Sequence, residues 1–370
     1  MDTLYWLWLS TIPHVGPITQ KRLLEKFKSP EAIFQCSKQD LIKTKTQELR
    51  LPSTAISSIV ENRNLALEKA KRILEKSKQK EIKILTFENP IYPDFAKSCP
   101  ESPTVLYFKG SLNTYTHTVG IVGSRRCTKY GQKITAEIVE SLAKYNIPVI
   151  SGLAKGIDGY AHTAAIQNGS ETLAFLANGV DKCYPTEHHK LYEKIIGNGA
   201  VLSQYPPETP ALPKFFLQRN ALISAWSKQL IIVEAGEKSG ALTTAQFAKK
   251  YKREIYAVPN RIDVPEGWGT NALLETIAKP YLKINSLKIN QRTQLAESKT
   301  TNTGTIKQKE NINSIDSIEF QLEKLLNQGP LKISKICHTL QISKPELEEL
   351  IFLMELHGKL KINGEFLYKR

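Results

Sequence analysis

TVGIVGSRRCTKYGQKITAEIVESLAKYNIPVIS, residues 118–151, carries the clearest architectural signal of the chain. An apolar, β-branched run (Thr118–Val122) stops at Gly123-Ser124-Arg125-Arg126. A helix-length amphipathic segment follows, and a second apolar run ends at Ser151. Strands written as continuous apolar runs, with a helix between them, belong to a parallel sheet covered on both faces. The same grammar extends from Ile82 to about Ile284 through IKILTF, VLYF, TLAFL, AVLSQ, QLIIVEA and REIYAVP. It predicts a doubly wound α/β domain over 81–284.

Such sheets bind ligands outside the carboxyl ends of their strands, where the unusual residues of this chain fall. Gly123, Ser124 and Arg125 follow the first run, with two arginines where a dinucleotide fingerprint G-x-G-x-x-G would stand. Ser151, Gly152, Lys155 and Gly156 follow the next, and Ser239 and Gly240 follow QLIIVEAGEK. Loop glycines let backbone N–H groups close on an anion, and each following helix is expected to add its positive end. PKFFLQRN (213–220) supplies Lys214, Phe215 and Phe216 just ahead of Arg219 and Asn220. Several phosphate-sized nests beside cations and aromatic rings suit a line of phosphates with stackable bases, as in a single strand of nucleic acid.

Plainer readings stand beside these. A Gly-rich turn after a strand is usually only a tight connection, and Phe215 and Phe216 suit a core as well as a base platform. Asp158 and His162, four apart, read as a helix cap and a locally bonded imidazole before they read as acid–base or metal groups. His188 and His189 are adjacent and so point apart on a helix. No Ser-His-Asp or Cys-His set stands out, and no catalytic residue, metal ligand or cofactor is assigned.

The 370 residues are 41% hydrophobic and 24% charged, ordinary for a globular protein and enough for two or three domains. A net charge of +15, spread along the chain, favours a nucleic-acid partner modestly over a generally basic surface. Five scattered cysteines without a C-x-x-C pair fit a reducing compartment and neither a disulfide framework nor a zinc site. With no apolar run of membrane-spanning length and no cleavable leader, the expected location is the cytoplasm.

Residues 1–80 read as helical, with an outward basic face in KAKRILEKSKQK. TIPHVGPITQKRLLEKF (11–27), with Lys21 and Arg22, resembles half of a helix-hairpin-helix, a unit that holds DNA phosphate at a helix start; the plainer reading is a small helical domain with a Gly-Pro turn. Residues 285–314 lose apolar content and read as a flexible linker. Residues 315–370 read as a winged-helix-like module: two helices, the second capped by Ser343 and Glu346, then a hairpin at Asn363-Gly364. That second helix carries Glu346, Glu348, Glu349 and Glu355 against Lys344, so protein contacts suit it better than a phosphate backbone.

In family order, the chain carries NPIYPDF, PTVLYFKG, IVGSR, SGLAKGIDGYAH, GVDKCYP, LSQYPP, FLQRN, VEAGEKSGALTTA and AVP. Over about residues 88–280 it closely resembles the DNA-processing protein A family (DprA, also called Smf). The resemblance implies an extended Rossmann-like core and a homodimer without catalytic activity. It also implies binding and protection of incoming single-stranded DNA and help in loading the RecA recombinase during natural transformation. Carried onto matching positions, it makes Arg125 a principal phosphate contact and Ser151, Gly152 and Lys155 loop contacts. Phe216 takes part in holding a base, with Arg219 and Asn220 following, and Ser239 and Gly240 complete the phosphate side. Three departures stand out: Thr186 replaces a lysine after Tyr-Pro, with Lys190 a stand-in. Ala221 replaces the second arginine of Arg-Asn-Arg, and Asn260, beside Arg261, replaces a glycine after Ala-Val-Pro. A second possibility is a phosphoribohydrolase on a similar sheet, but its P-G-G-x-G-T-x-x-E loop is replaced by VEAGEKSGALTT; a third is a protein-interaction scaffold.

Overall fold

The computed structural model describes residues 3–43, 51–289 and, within 321–369, those other than 323, 328, 341, 343–346, 348–349, 352–353, 355–359 and 364–365. The chain divides into two compact units, 1–290 and 291–370.

In the first unit the helices α1 (Thr3–Thr11), α2 (Pro17–Phe27), α3 (Pro30–Gln35), α4 (Lys38–Lys43), α5 (Ser53–Glu61) and α6 (Arg63–Gln79) precede the sheet. Then come β1 (Lys83–Thr86), α7 (Asp94–Lys97), β2 (Val105–Gly110), β3 (Val119–Val122), α8 (Lys129–Ala143), β4 (Val149–Ser151), α9 (Ile157–Gln167) and β5 (Thr172–Phe175). The series ends with α10 (His189–Asn198), β6 (Gly199–Ser203), α11 (Pro213–Trp226), β7 (Gln229–Ile232), α12 (Gly240–Lys250), β8 (Glu254–Ala257), α13 (Trp268–Thr276) and β9 (Lys279–Pro280).

The strands form one sheet in the order β1-β2-β6-β5-β4-β3-β7-β8-β9, parallel from β6 to β9. All eight apolar runs are strands. The two earliest differ from the parallel expectation, since β1 and β2 pair antiparallel with each other and β2 with β6. The four-residue α7 is too short for the crossover that parallel neighbours require. Alternate residues of the central strands face opposite layers. Ile121, Ile231 and Val233 pack with Ile138, Val139 and Leu142 of α8. Val122, Leu230 and Ile232 pack with Leu222, Trp226 and Ala245 of α11 and α12. Chain order reverses at β3, with β4 on one side and β7 on the other, and the crevice at that switch point positions the site.

The N-terminal helices bury Trp6 and Trp8 and dock onto the sheet unit. Thr104 donates to the buried Gln20 at 2.6 Å. Lys21, offered above as half of a phosphate-holding hairpin, instead donates to the carbonyls of Lys97 (3.2 Å) and Cys99 (2.5 Å). Burial lowers its pKa to about 8, so this lysine serves docking. The basic face of α6 is likewise partly used inward, with Lys80 on Asp181 at 2.6 Å and Lys76 on Glu208. The start of the expected linker is also packed: Leu287 is buried and Lys288 pairs with Glu254 at 2.9 Å. Residues 290–314 lie outside the described set.

In the second unit, β10 (Leu331–Lys332), α14 (Ile333–Leu340), β11 (Leu360–Asn363) and β12 (Phe366–Lys369) form a helix and a three-stranded antiparallel sheet in the order β10-β12-β11. Leu326, Ile336, Leu350, Met354 and Leu367 make its core. Ser343, Lys344, Glu346, Glu348, Glu349, Glu355 and Gly364 lie outside the described residues, so the capping box, the acidic face and the turn of the winged-helix expectation are not described. Among the described residues no helix is long and apolar enough to cross a membrane.

Candidate functional site

A cleft of about 680 Å³ opens at the switch point between the loops after β3 and β7, floored by α11. A smaller pocket of about 80 Å³ adjoins it and shares Arg125, Ala154 and Arg219. Phe216 forms a wall of that pocket. The guanidinium carbons of Arg125 and Arg219 each lie 5.7 Å from its ring centroid, within cation–π range. Tyr184, 48% exposed, meets the same ring edge-on at 5.6 Å.

The loops are shaped by close approach. Gly156 has φ +74° and sits so near the Ser124 carbonyl that a Cβ would strike it. The Ile157 N–H donates to that carbonyl at 3.1 Å and the Ser124 N–H to the Glu234 carbonyl at 2.7 Å. Ser124 Oγ accepts from the Arg126 N–H at 3.1 Å. Arg125, exposed at the turn, is thus presented by a loop tied down on both sides.

Several candidate residues build the site as much as they face it. Ser151 is buried and donates to the Ile121 carbonyl at 2.6 Å. Gly152 donates to Asp158 Oδ2 at 3.1 Å, and its carbonyl accepts from Arg219; a side chain there would strike both partners. Arg219 is only 5% exposed and also donates to the Phe175 carbonyl at 3.0 Å and to Asn220 Oδ1 at 3.1 Å. Burial pushes the Asp158 carboxyl up and the Arg219 charge pulls it back. Arg219 lines both pockets but is mainly internal: a cation near a buried carboxylate and with carbonyl acceptors has few donors to spare. Lys155 is exposed and ion-paired with Glu187. Lys214 lines neither pocket; it lies 5.3 Å over Phe215, which stacks on Tyr205 at 4.1 Å. Asn220 links α11 to the Gly240 carbonyl at 3.3 Å. Ser239 caps α12 through Ala241 N, and Gly240 faces open space.

The three helix starts are not equivalent. The carboxylate of Glu234 accepts from the Thr128 N–H at 2.8 Å at the start of α8, and Asp158 stands in the first turn of α9. The sequence suggested that every helix lends a positive end; two of these are already neutralised by the protein's own carboxylates, leaving α12. His162 is buried, with Nδ1 2.7 Å from Thr172 Oγ1, the local bond expected. His188 is buried with Nδ1 on the Leu153 carbonyl, while His189 is exposed. All five cysteines are free thiols.

A sequence model of the family described as DNA recombination-mediator protein A matches residues 83–291. The chain belongs to this family. Protein Smf of Synechocystis sp. is 33% identical over 288 residues, 76% of this chain and 71% of that protein. The DNA processing protein DprA of Bacillus subtilis is 33% identical over 213 residues, 57% and 72% of the two chains. The solved DNA processing protein A of Streptococcus pneumoniae aligns with a TM-score of 0.63 at 26% identity, over 76% of this chain and 95% of that one. DNA processing protein A of Helicobacter pylori, whose structure addresses its single-stranded DNA binding mode, gives 0.50 at 32% identity, over 55% and 93%.

Against the DprA/Smf pattern, the departures have physical readings. Ala221 is buried in the core layer of α11 (4% exposed), so the missing arginine subtracts no cation from this cleft. Arg261 is held by Asp263 at 2.9 and 2.6 Å, and Asn260 is bonded to Asn271. Thr186 opens a short 3-10 turn, Thr186–His188, and Lys190 lines neither pocket. Tyr184 and Glu234 escaped the sequence reading. The available signals were an aromatic before Pro185 and a lone acid at the carboxyl end of an apolar strand.

Proposed function

We propose that this protein binds single-stranded DNA along the switch-point cleft, with backbone phosphates at Arg125 and the start of α12 and a base against Phe216 and Tyr184. Contact between Arg125 and the Phe216 ring carries this reading, because it sets a phosphate-binding cation and a stacking face one nucleotide apart. Gly123, Ser124, Ser151, Gly152, Gly156, Arg219 and Asn220 hold that pair in place, and Lys155, Ser239 and Gly240 border the strand. In this reading a homodimer in the cytoplasm protects incoming DNA and helps load RecA during natural transformation, without catalysis. The family membership and the DNA-binding relative from Helicobacter pylori support it.

Arg125→Ala should weaken oligonucleotide binding by about tenfold or more, the worth of one charge-assisted contact. It should also lower the salt dependence by about one released ion. Fluorescence anisotropy across a salt series measures both, and unchanged affinity would remove Arg125 from the site. Glu187 competes with phosphate for Lys155. Glu187→Gln should therefore tighten binding about two- to fivefold, the range of an exposed ion pair; weaker binding in that variant would show Lys155 needs the pair to be placed. Release of free base from nucleoside monophosphates would overturn the non-catalytic reading in favour of the phosphoribohydrolase.

A further inference from the structure

At the switch point of a doubly wound sheet, the helix start after the first central strand is the ordinary seat of a nucleotide phosphate, because its leading N–H groups have no intrahelical partners. In this protein that seat is filled from within. The pairing of Val122 with Ile232 brings residue 234, two places further on, beside Ser124. Glu234 is fully buried. Its carboxylate accepts from the N–H of Thr128 at 2.8 Å and from the Thr128 hydroxyl at 2.5 Å, and Thr128 is the capping residue of α8, bonded in turn to the Gly131 N–H. A methyl group on Gly131 would strike the same carboxylate, so the first turn of α8 leaves room for this anion and little else. The main-chain carbonyl of Glu234 meanwhile holds the Ser124 N–H. One residue grips the phosphate-loop equivalent at both ends. Burial, and next the negative charge of Glu234, push the nearby Cys127 thiol up to about 11.

We propose that Glu234 is a built-in anion that takes the phosphate seat of the first strand-to-helix turn, so that the cleft rejects free nucleotides while the clamped Gly123–Arg126 loop presents Arg125 outward. A phosphate approaching α8 would meet a like charge and find the Thr128 and Gly131 N–H groups already engaged. A strand can still be held at Arg125 and at α12, whose first turn holds no acidic residue. Glu234 thus acts on specificity, and on affinity only by positioning Arg125; the second effect rests on the DNA-binding reading above.

The test compares the wild type with Glu234→Ala and Glu234→Gln. Circular dichroism first establishes that each variant is folded. Pyrophosphate and ADP binding are then measured by calorimetry, and single-stranded oligonucleotide binding by anisotropy in sodium chloride and in sodium formate at equal ionic strength. The wild type should bind pyrophosphate and ADP at least tenfold more weakly than Glu234→Ala does. Glu234→Ala should bind pyrophosphate, lose about tenfold in oligonucleotide affinity, and regain part of it in formate, which refills the vacated seat. A merely structural role for Glu234 would give no formate rescue. If Glu234→Ala does not fold, Glu234→Gln carries the test: it keeps the shape, drops the charge, and should admit pyrophosphate. A folded variant that takes up neither pyrophosphate nor formate overturns the proposal, as does a wild type that binds pyrophosphate as tightly as Glu234→Ala. Failure of the wild type to bind the oligonucleotide would instead overturn the DNA-binding reading and leave the pyrophosphate comparison standing.

Discussion

Arg219→Ala should lower the unfolding free energy by about 2–4 kcal/mol, the cost of leaving buried polar groups without the donor and the charge that compensate them. Arg219 is nearly inaccessible, and its guanidinium is shared among the Gly152 and Phe175 carbonyls and Asn220. Asp158, buried beside it, accepts from the Gly152 N–H. Removing the cation strands a carboxylate whose pKa burial already pushes up. It also leaves two buried carbonyls short of a donor. Any loss of DNA binding in this variant should follow the loss of fold, in contrast to Arg125→Ala, which should keep wild-type stability. Urea unfolding monitored by tryptophan fluorescence separates the two. An unchanged midpoint for Arg219→Ala would show that the guanidinium is not the internal tie described. Asp158→Asn combined with Arg219→Ala should recover part of the stability, because the neutral amide no longer needs a counter-ion.

Acidification is expected to be the second large effect. His162 is wholly buried, and burial first, then the neighbouring His188 and Arg219, lowers its pKa to about 3. An unfolded chain restores it to about 6.5. The folded-state value is depressed, so the unfolded state binds the extra proton in the window between the two values, and stability falls as pH falls through it. Between pH 7 and pH 4 the loss should reach about 3 kcal/mol, close to 1.4 kcal/mol per pH unit below 6.5. His117 and His188 are lowered as well, chiefly by burial, and add in the same direction. Paired carboxylates such as Glu254, held at about 2, contribute only further down, below about pH 4.5. Chemical unfolding at pH 7, 5.5 and 4 measures the slope, and His162→Gln should flatten it across that window. An equal slope in the variant would assign the acid lability elsewhere.

Most strands, the covering helices and the loops where function gathers are legible in the residues alone. Apolar runs such as TVGIV and QLIIV, buried on both faces, leave few alternatives to a covered parallel sheet. The breaks after them (Gly123-Ser124-Arg125, Gly152 to Gly156, Ser239-Gly240) fall at strand ends by necessity. Which polar residues of those loops face the cleft depends on how distant parts of the chain pack. Arg125 and Arg219 look alike in the sequence, yet one is exposed and the other is tied to a carbonyl 67 residues away. Glu234 reads as one acid among many until the sheet sets it against Thr128, 106 residues distant. Periodicity records whether a position is buried, because burial repeats with the geometry of each element. The partner of a buried charge is chosen by strand order and helix packing, which no local pattern encodes.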